Sequence, residues 1–168
     1  MRLISEEYAA LNQNLHTQRP TYGASGKRWT IKVLEMGYTD VLDYGCGKST
    51  LAKSLPFPIK EYDPAVPGKM DPPKPADFVV CTDVLEHIEP EYLDSVLDDL
   101  KRLTLKKALL VVATRPANKT LEDGRNAHLI IQPLAWWLGK IGDRFDIEDV
   151  KEDASQPGEF MLIVRKRD

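Results

Sequence analysis

Cysteine is almost missing from this 168-residue chain: Cys46 and Cys81 are the only two. Their separation matches neither a disulfide framework nor a thiolate metal site, so no metal centre is expected and both thiols are read as small buried side chains. Long apolar runs are missing too. None approaches the ~20 residues that span a bilayer, and Met1-Arg2-Leu3-Ile4-Ser5 turns acidic at Glu6 and Glu7, unlike a secretory signal. A cytoplasmic location with no membrane partner is the expectation. Nor is there an excess of positive charge. Lys and Arg total 23 against 26 Asp and Glu, a net charge of −3, so no global basic field draws the protein to plain duplex nucleic acid. The length suits a single domain, 1–168, without room for a second recognition domain, and residues 1–24 are a candidate lid segment.

Against these absences stands Val41-Leu42-Asp43-Tyr44-Gly45-Cys46-Gly47-Lys48-Ser49, an apolar strand ending in an acid and two glycines. Glycines there let the backbone turn off the strand and leave bare peptide for a ligand, so a side chain at Gly47 is expected to fill the ligand's space. Eighteen positions beyond Gly45, the run Pro58–Tyr62 ends at Asp63, an acid placed to accept ribose hydroxyls at the end of a second strand. Gly47-Lys48-Ser49-Thr50 imitates the end of a triphosphate-binding loop, but that motif needs glycine where Leu42 stands.

Periodicity supplies the remaining elements. Ile4, Tyr8, Leu11 and Leu15 have helical spacing over 4–16; a second helix covers 25–36 and stops at Gly37. Strand one is 40–44, followed by a short helix at 48–54. The proline-rich stretch 64–75 leaves the next strand of an alternating α/β pattern cut down or missing. Asp77–Asp83 reads as a strand, Pro90 opens a helix with Leu93, Val96, Leu97, Leu100 and Leu103 as its buried stripe, and Lys106–Thr114 is a strand covered on both faces. A long loop, 115–132, precedes a helix at 133–142 and two β-rich runs, 144–150 and 159–166.

Three of these segments together resemble the class I S-adenosylmethionine-dependent methyltransferases: Val41–Gly47, the acid Asp63, and Asp77-Phe78-Val79-Val80-Cys81-Thr82-Asp83-Val84-Leu85-Glu86-His87-Ile88. The last is similar to the branch that holds ubiquinone-type and other small-molecule enzymes. Tyr22–Gly26 and Gly124–His128 are similar to small members often encoded by bacteriophages. The resemblance implies a compact, doubly wound, Rossmann-like α/β sheet, shortened around strand three, with a C-terminal β-hairpin. It also implies S-adenosylmethionine as cofactor, held by Asp43, Gly45, Cys46 and Gly47, by Tyr62 and Asp63, by Asp71 in place of the usual adenine-side acid, and by Cys81, Thr82 and Asp83.

Ligands of such sheets lie beyond the carboxyl ends of the strands, which brings the loop after 114 to the same crevice. Arg115, Lys119, Arg125 and Asn126 in that loop, with Trp136 beyond it, are candidate contacts to the acceptor. His128 is the leading candidate base, because an imidazole takes a proton near neutral pH; Glu86 and His87 are further catalytic candidates. The expected acceptor is a small molecule or nucleotide-like compound with an O or N nucleophile. Two alternatives stay open: a binding module for S-adenosylmethionine or S-adenosylhomocysteine without turnover, and methylation of a modified nucleic acid.

Overall fold

Side chains alternate across a strand, and in Ala108–Val112 both sets are apolar, so this segment needs cover on each face. The computed structural model, which describes residues 1–168, provides it. Its helices are α1 (Glu6–Gln18), α2 (Thr30–Met36), α3 (Thr50–Ser54), α4 (Leu93–Leu103) and α5 (Leu134–Gly142). Strands β1 (Val41–Tyr44), β2 (Lys60–Tyr62), β3 (Ala76–Thr82), β4 (Thr104–Ala113), β5 (Phe145–Glu152) and β6 (Glu159–Lys166) form one sheet in the order β2-β1-β3-β4-β6-β5. The first four are parallel, and β6 runs antiparallel to both its neighbours.

On one face α4 and α5 set Leu97, Leu100, Trp137 and Ile141 against Leu110, Val112 and Leu162. On the other, Val33 of α2 and Leu51 of α3 meet Phe78, Val80, Leu109 and Val111. Burying one leucine side chain stabilises by roughly 1.5–3 kcal/mol, so β4 alone commits the chain to two helical layers.

The doubly wound sheet and the C-terminal hairpin match the sequence expectation. The strand of doubtful length is absent altogether: no strand forms between Tyr62 and Ala76, because Pro64, Pro67, Pro72, Pro73 and Pro75 lack the N–H groups a ladder needs. β2 therefore ends the sheet, and Lys60 clamps that edge by donating to Asp40 (2.5 Å) and to the Pro75 carbonyl (2.8 Å). The helix expected over 25–36 splits into a 3-10 turn, Gly26–Trp29, and α2. α3 begins only at Thr50 because Ser49 takes φ +61°. α1 starts after Ser5, whose hydroxyl caps it by accepting from Tyr8 N.

Strand order reverses between β1 and β3, which opens a crevice above their carboxyl ends. α1 lies over it, with Tyr8 and Leu15 packed on Leu121 and Ala127 of the loop after β4. No helix is long and apolar enough to cross a membrane.

Candidate active site

Above the reversal point is a cavity of about 460 Å³. One wall is the turn after β1. The N–H groups of Gly45 and Cys46 both donate to the Tyr62 carbonyl (2.7 and 3.1 Å), and Gly47 N donates to Asp63 Oδ2 (3.0 Å). Ala65 N donates to Asp63 Oδ1 (2.9 Å), so each Asp63 oxygen has one backbone donor and keeps a lone pair for a ligand. Asp43 differs. It is 4% exposed, lines the cavity and receives no hydrogen bond, and burial followed by repulsion from Glu61 and Asp63 pushes its carboxyl up to about 7.

The opposite wall comes from the turn after β3 and the loop after β4. Asp83 takes φ +60°, a left-handed conformation costly for any residue but glycine, and receives a hydrogen bond from Ser25 Oγ (3.3 Å). His87 Nε2 lies 3.6 Å from Asp83 Oδ1. The His128 ring stands edge-on to that of His87, with centroids 4.8 Å apart. His128 Nδ1 is 2.6 Å from the Arg115 carbonyl, an acceptor only, so Nδ1 carries the proton and Nε2 keeps its lone pair. Burial lowers the pKa of His128, which favours this neutral form. Glu86 is fully buried; its Oε1 accepts from Ala113 N (3.1 Å), and burial beside Asp83 holds its carboxyl well above the usual range.

The profile of the family described as "Methyltransferase domain" matches residues 5–154. The chain belongs to this methyltransferase family. The fold agrees with solved structures of low identity. A magnesium protoporphyrin IX methyltransferase from Synechocystis, solved with S-adenosylhomocysteine, is 17% identical, with 89% of this chain and 85% of that one covered at a TM-score of 0.60. A 1,6-didemethyltoxoflavin-N1-methyltransferase from Burkholderia thailandensis, solved with that compound and S-adenosylhomocysteine, is 16% identical, with 100% and 93% covered at a TM-score of 0.64. The N-methyltransferase NodS of Bradyrhizobium japonicum, solved with S-adenosylhomocysteine, is 10% identical, with 84% and 86% covered at 0.59. No curated protein matches the sequence.

Of the residues singled out in the sequence, the methyltransferase fold brings Asp43, Gly45, Cys46, Gly47, Asp63, Thr82 and Asp83 to the cavity, together with His87, Arg115, Lys119 and His128. Others go elsewhere. Glu86 stands behind the wall, fully buried, so it cannot touch an acceptor directly. Tyr62 contributes its carbonyl to the glycine turn while its ring packs on Tyr44, and Cys81 points into the core. Asp71 is exposed and outside the cavity, as expected once the strand before it is lost.

Three candidate acceptor contacts are displaced as well. Asn126 is scaffolding: its Oδ1 accepts from Ala117 N and His128 N, and its Nδ2 donates to Ala117 O, which closes the loop into a tight hairpin. Arg125 pairs with Asp123 and lies over the Tyr8 ring. Trp136 packs edge-on against Trp137 beside an outer groove, away from the crevice.

Gly47 is held to glycine by the chain beside it, not by the ligand space expected from the sequence. A Cβ there would strike the Gly23 backbone, with Gly23 Cα at 2.8 Å, so the glycine serves its φ of +50° and the crossing segment rather than ligand space. α1 and the segment after it supply cavity residues that sequence reasoning passed over: Tyr8, Asn12, His16, Tyr22, Ser25 and Arg28. A signal for the first three was present, since Tyr8, Asn12 and His16 recur every four positions on one helical face. The last, Arg28, reaches Asp153 (2.6 Å) and Glu159 (3.2 Å) and so ties this segment to the C-terminal hairpin.

Proposed function

We propose that this methyltransferase takes its methyl group from S-adenosylmethionine and passes it to an oxygen or nitrogen of a small-molecule or nucleotide-like acceptor. Asp43 carries the reading: a carboxylate buried to 4% exposure on a cavity wall, without a donor and beside a second buried acid, Asp63, suits a cationic ligand. S-adenosylmethionine supplies a methyl group on a positively charged sulfur and carries an ammonium group. Asp43 would balance that charge, and the free lone pairs of Asp63 would receive two ribose hydroxyls. Gly45 and Thr82 would take the methionine end through their backbone.

On the far wall, Arg115 and Lys119 would orient the acceptor, and His128 Nε2 is free to receive its proton. A cavity of about 460 Å³ falls within the ~300–1,000 Å³ range of small-ligand sites, which supports a small acceptor. So do fold neighbours named for magnesium protoporphyrin IX and 1,6-didemethyltoxoflavin.

Calorimetry with S-adenosylhomocysteine and a metabolite screen for its production test the reading. Saturable binding plus turnover of one acceptor class is expected, and His128→Ala should keep the binding while turnover falls roughly 10²–10⁴-fold. Binding without any turnover would make the protein a sensor. No binding by well-folded protein would overturn the proposal.

A further inference from the structure

The wall that faces the acceptor holds more acceptor atoms than the protein supplies donors for. Asp83, Glu86 and His87 come from the turn after β3 and His128 from the loop after β4, and one ligand-type atom from each lies within 4.8 Å of the other three. Two of the groups are unsatisfied: Glu86 Oε2 and His87 Nδ1 are buried and have no hydrogen-bond partner. Unsatisfied buried polar atoms are uncommon and call for an explanation. No lysine or arginine supplies one, since the only basic group paired with Asp83 is His87. Two carboxylates and two imidazoles thus converge with no lysine or arginine in ion-pair contact with either carboxylate.

We infer that Asp83, Glu86, His87 and His128 bind one divalent transition-metal ion of the Mn²⁺, Fe²⁺ or Co²⁺ type. The donor set favours that class: imidazole nitrogen disfavours Mg²⁺ and Ca²⁺, which prefer oxygen throughout, and the absence of thiolate disfavours softer ions. Glu86 would give up the proton that burial beside Asp83 favours, and the two carboxylates would then balance the ion's charge of two. The supports of a built site are present as well. His128 anchors Nδ1–H on the Arg115 carbonyl, which aims Nε2 as a ligand, a role that with the ion bound replaces the proton-accepting one, and Ala113 N–H fixes Oε1 of Glu86. Asp83 holds its left-handed backbone beside them.

Asp83, His87 and His128 also line the cavity, so the ion would face the acceptor, and four protein ligands leave a six-coordinate ion two further positions. The acceptor class that fits carries a hydroxyl next to a second oxygen donor and binds the ion through both. This statement about the acceptor rests on the methyltransfer reading; the ion site itself does not. Cysteine spacing carries no signal of this site, because folding alone brings its histidines and carboxylates together.

The test uses chelator-treated full-length protein titrated with Mn²⁺, followed by electron paramagnetic resonance. One equivalent should bind saturably, with ¹⁴N couplings from imidazole in the pulsed spectrum. Glu86→Gln and His128→Ala should each weaken Mn²⁺ binding by at least tenfold, with calorimetry of S-adenosylhomocysteine reporting that the fold is kept. Should a variant fail to fold, the ¹⁴N couplings of the wild type decide by themselves. Absent saturable binding, or bound Mn²⁺ without nitrogen coupling, would overturn the site even if S-adenosylhomocysteine binds normally. Nitrogen-coupled Mn²⁺ in a protein that ignores S-adenosylhomocysteine would leave the ion site standing and remove the methyltransfer reading.

Discussion

Asp43 shows how one side chain can be tuned against its own fold. Its carboxyl titrates near 7 in the folded protein and near 3.9 in an unfolded chain, so the folded state holds the proton more tightly. The stability this contributes is complete below about pH 4 and is lost as pH rises through about 7. The ligand-free protein should therefore lose melting temperature between pH 4 and pH 7, and Asp43→Asn should melt higher than the wild type at pH 8. A cationic ligand needs the ionised form, so S-adenosylmethionine affinity should fall as pH drops below 7, a trend that calorimetry at several pH values would reveal and that the Asn variant should lack. Gly47 gives a second residue-scale prediction. Gly47→Ala forces a Cβ into the Gly23 backbone, so it should lower the melting temperature even without ligand, by roughly 1–3 kcal/mol of stability from the left-handed backbone alone. An unchanged melting temperature would show that the crossing segment gives way freely.

Among the elements, α1 is held differently from the rest. α4 and α5 belong to a cluster of 21 buried residues, whereas α1 joins a cluster of four. Its other ties are polar: Ser5 to Glu89 through both N (2.8 Å) and Oγ (2.5 Å), Tyr8 OH to the His87 carbonyl (2.5 Å), and Lys48 to the His16 carbonyl. Few buried apolar contacts mean a low free energy of local opening. Amides of α1 should therefore exchange with deuterium well before those of β4, and S-adenosylhomocysteine should slow α1 selectively, because Tyr8, Asn12 and His16 roof the cavity. Equal protection of α1 and β4 in the free protein would contradict a lid that opens independently. The Tyr8 bond to His87 also couples this helix to the turn that carries the proposed metal ligands.

At the scale of the whole molecule, charge limits the partners. With a net charge of −3, these 168 residues should bind plain duplex DNA weakly, and fluorescence anisotropy should show that binding vanish as salt rises to physiological levels. Salt-resistant, tight binding would favour the nucleic-acid alternative, and charge reversal at Arg115 and Lys119 would show whether the cavity mouth is the contact.

The layering, the glycine turn and the two acids at the ends of β1 and β2 were legible in the sequence because each depends on neighbours a few positions apart. Alternation in Ala108–Val112 demands cover on both faces, helical spacing marks α4, and an acid followed by two glycines ends β1 wherever it lies in space. Folding alone decided which polar residues share a cavity. His87 meets His128, Arg28 meets Glu159 and Gly47 meets Gly23 across long stretches of chain, through loop paths that no periodicity encodes. The same loops turned Asn126 inward as a brace and Arg125 and Trp136 away, since backbone N–H groups left unpaired by a tight hairpin claim the nearest amide side chain before any ligand can.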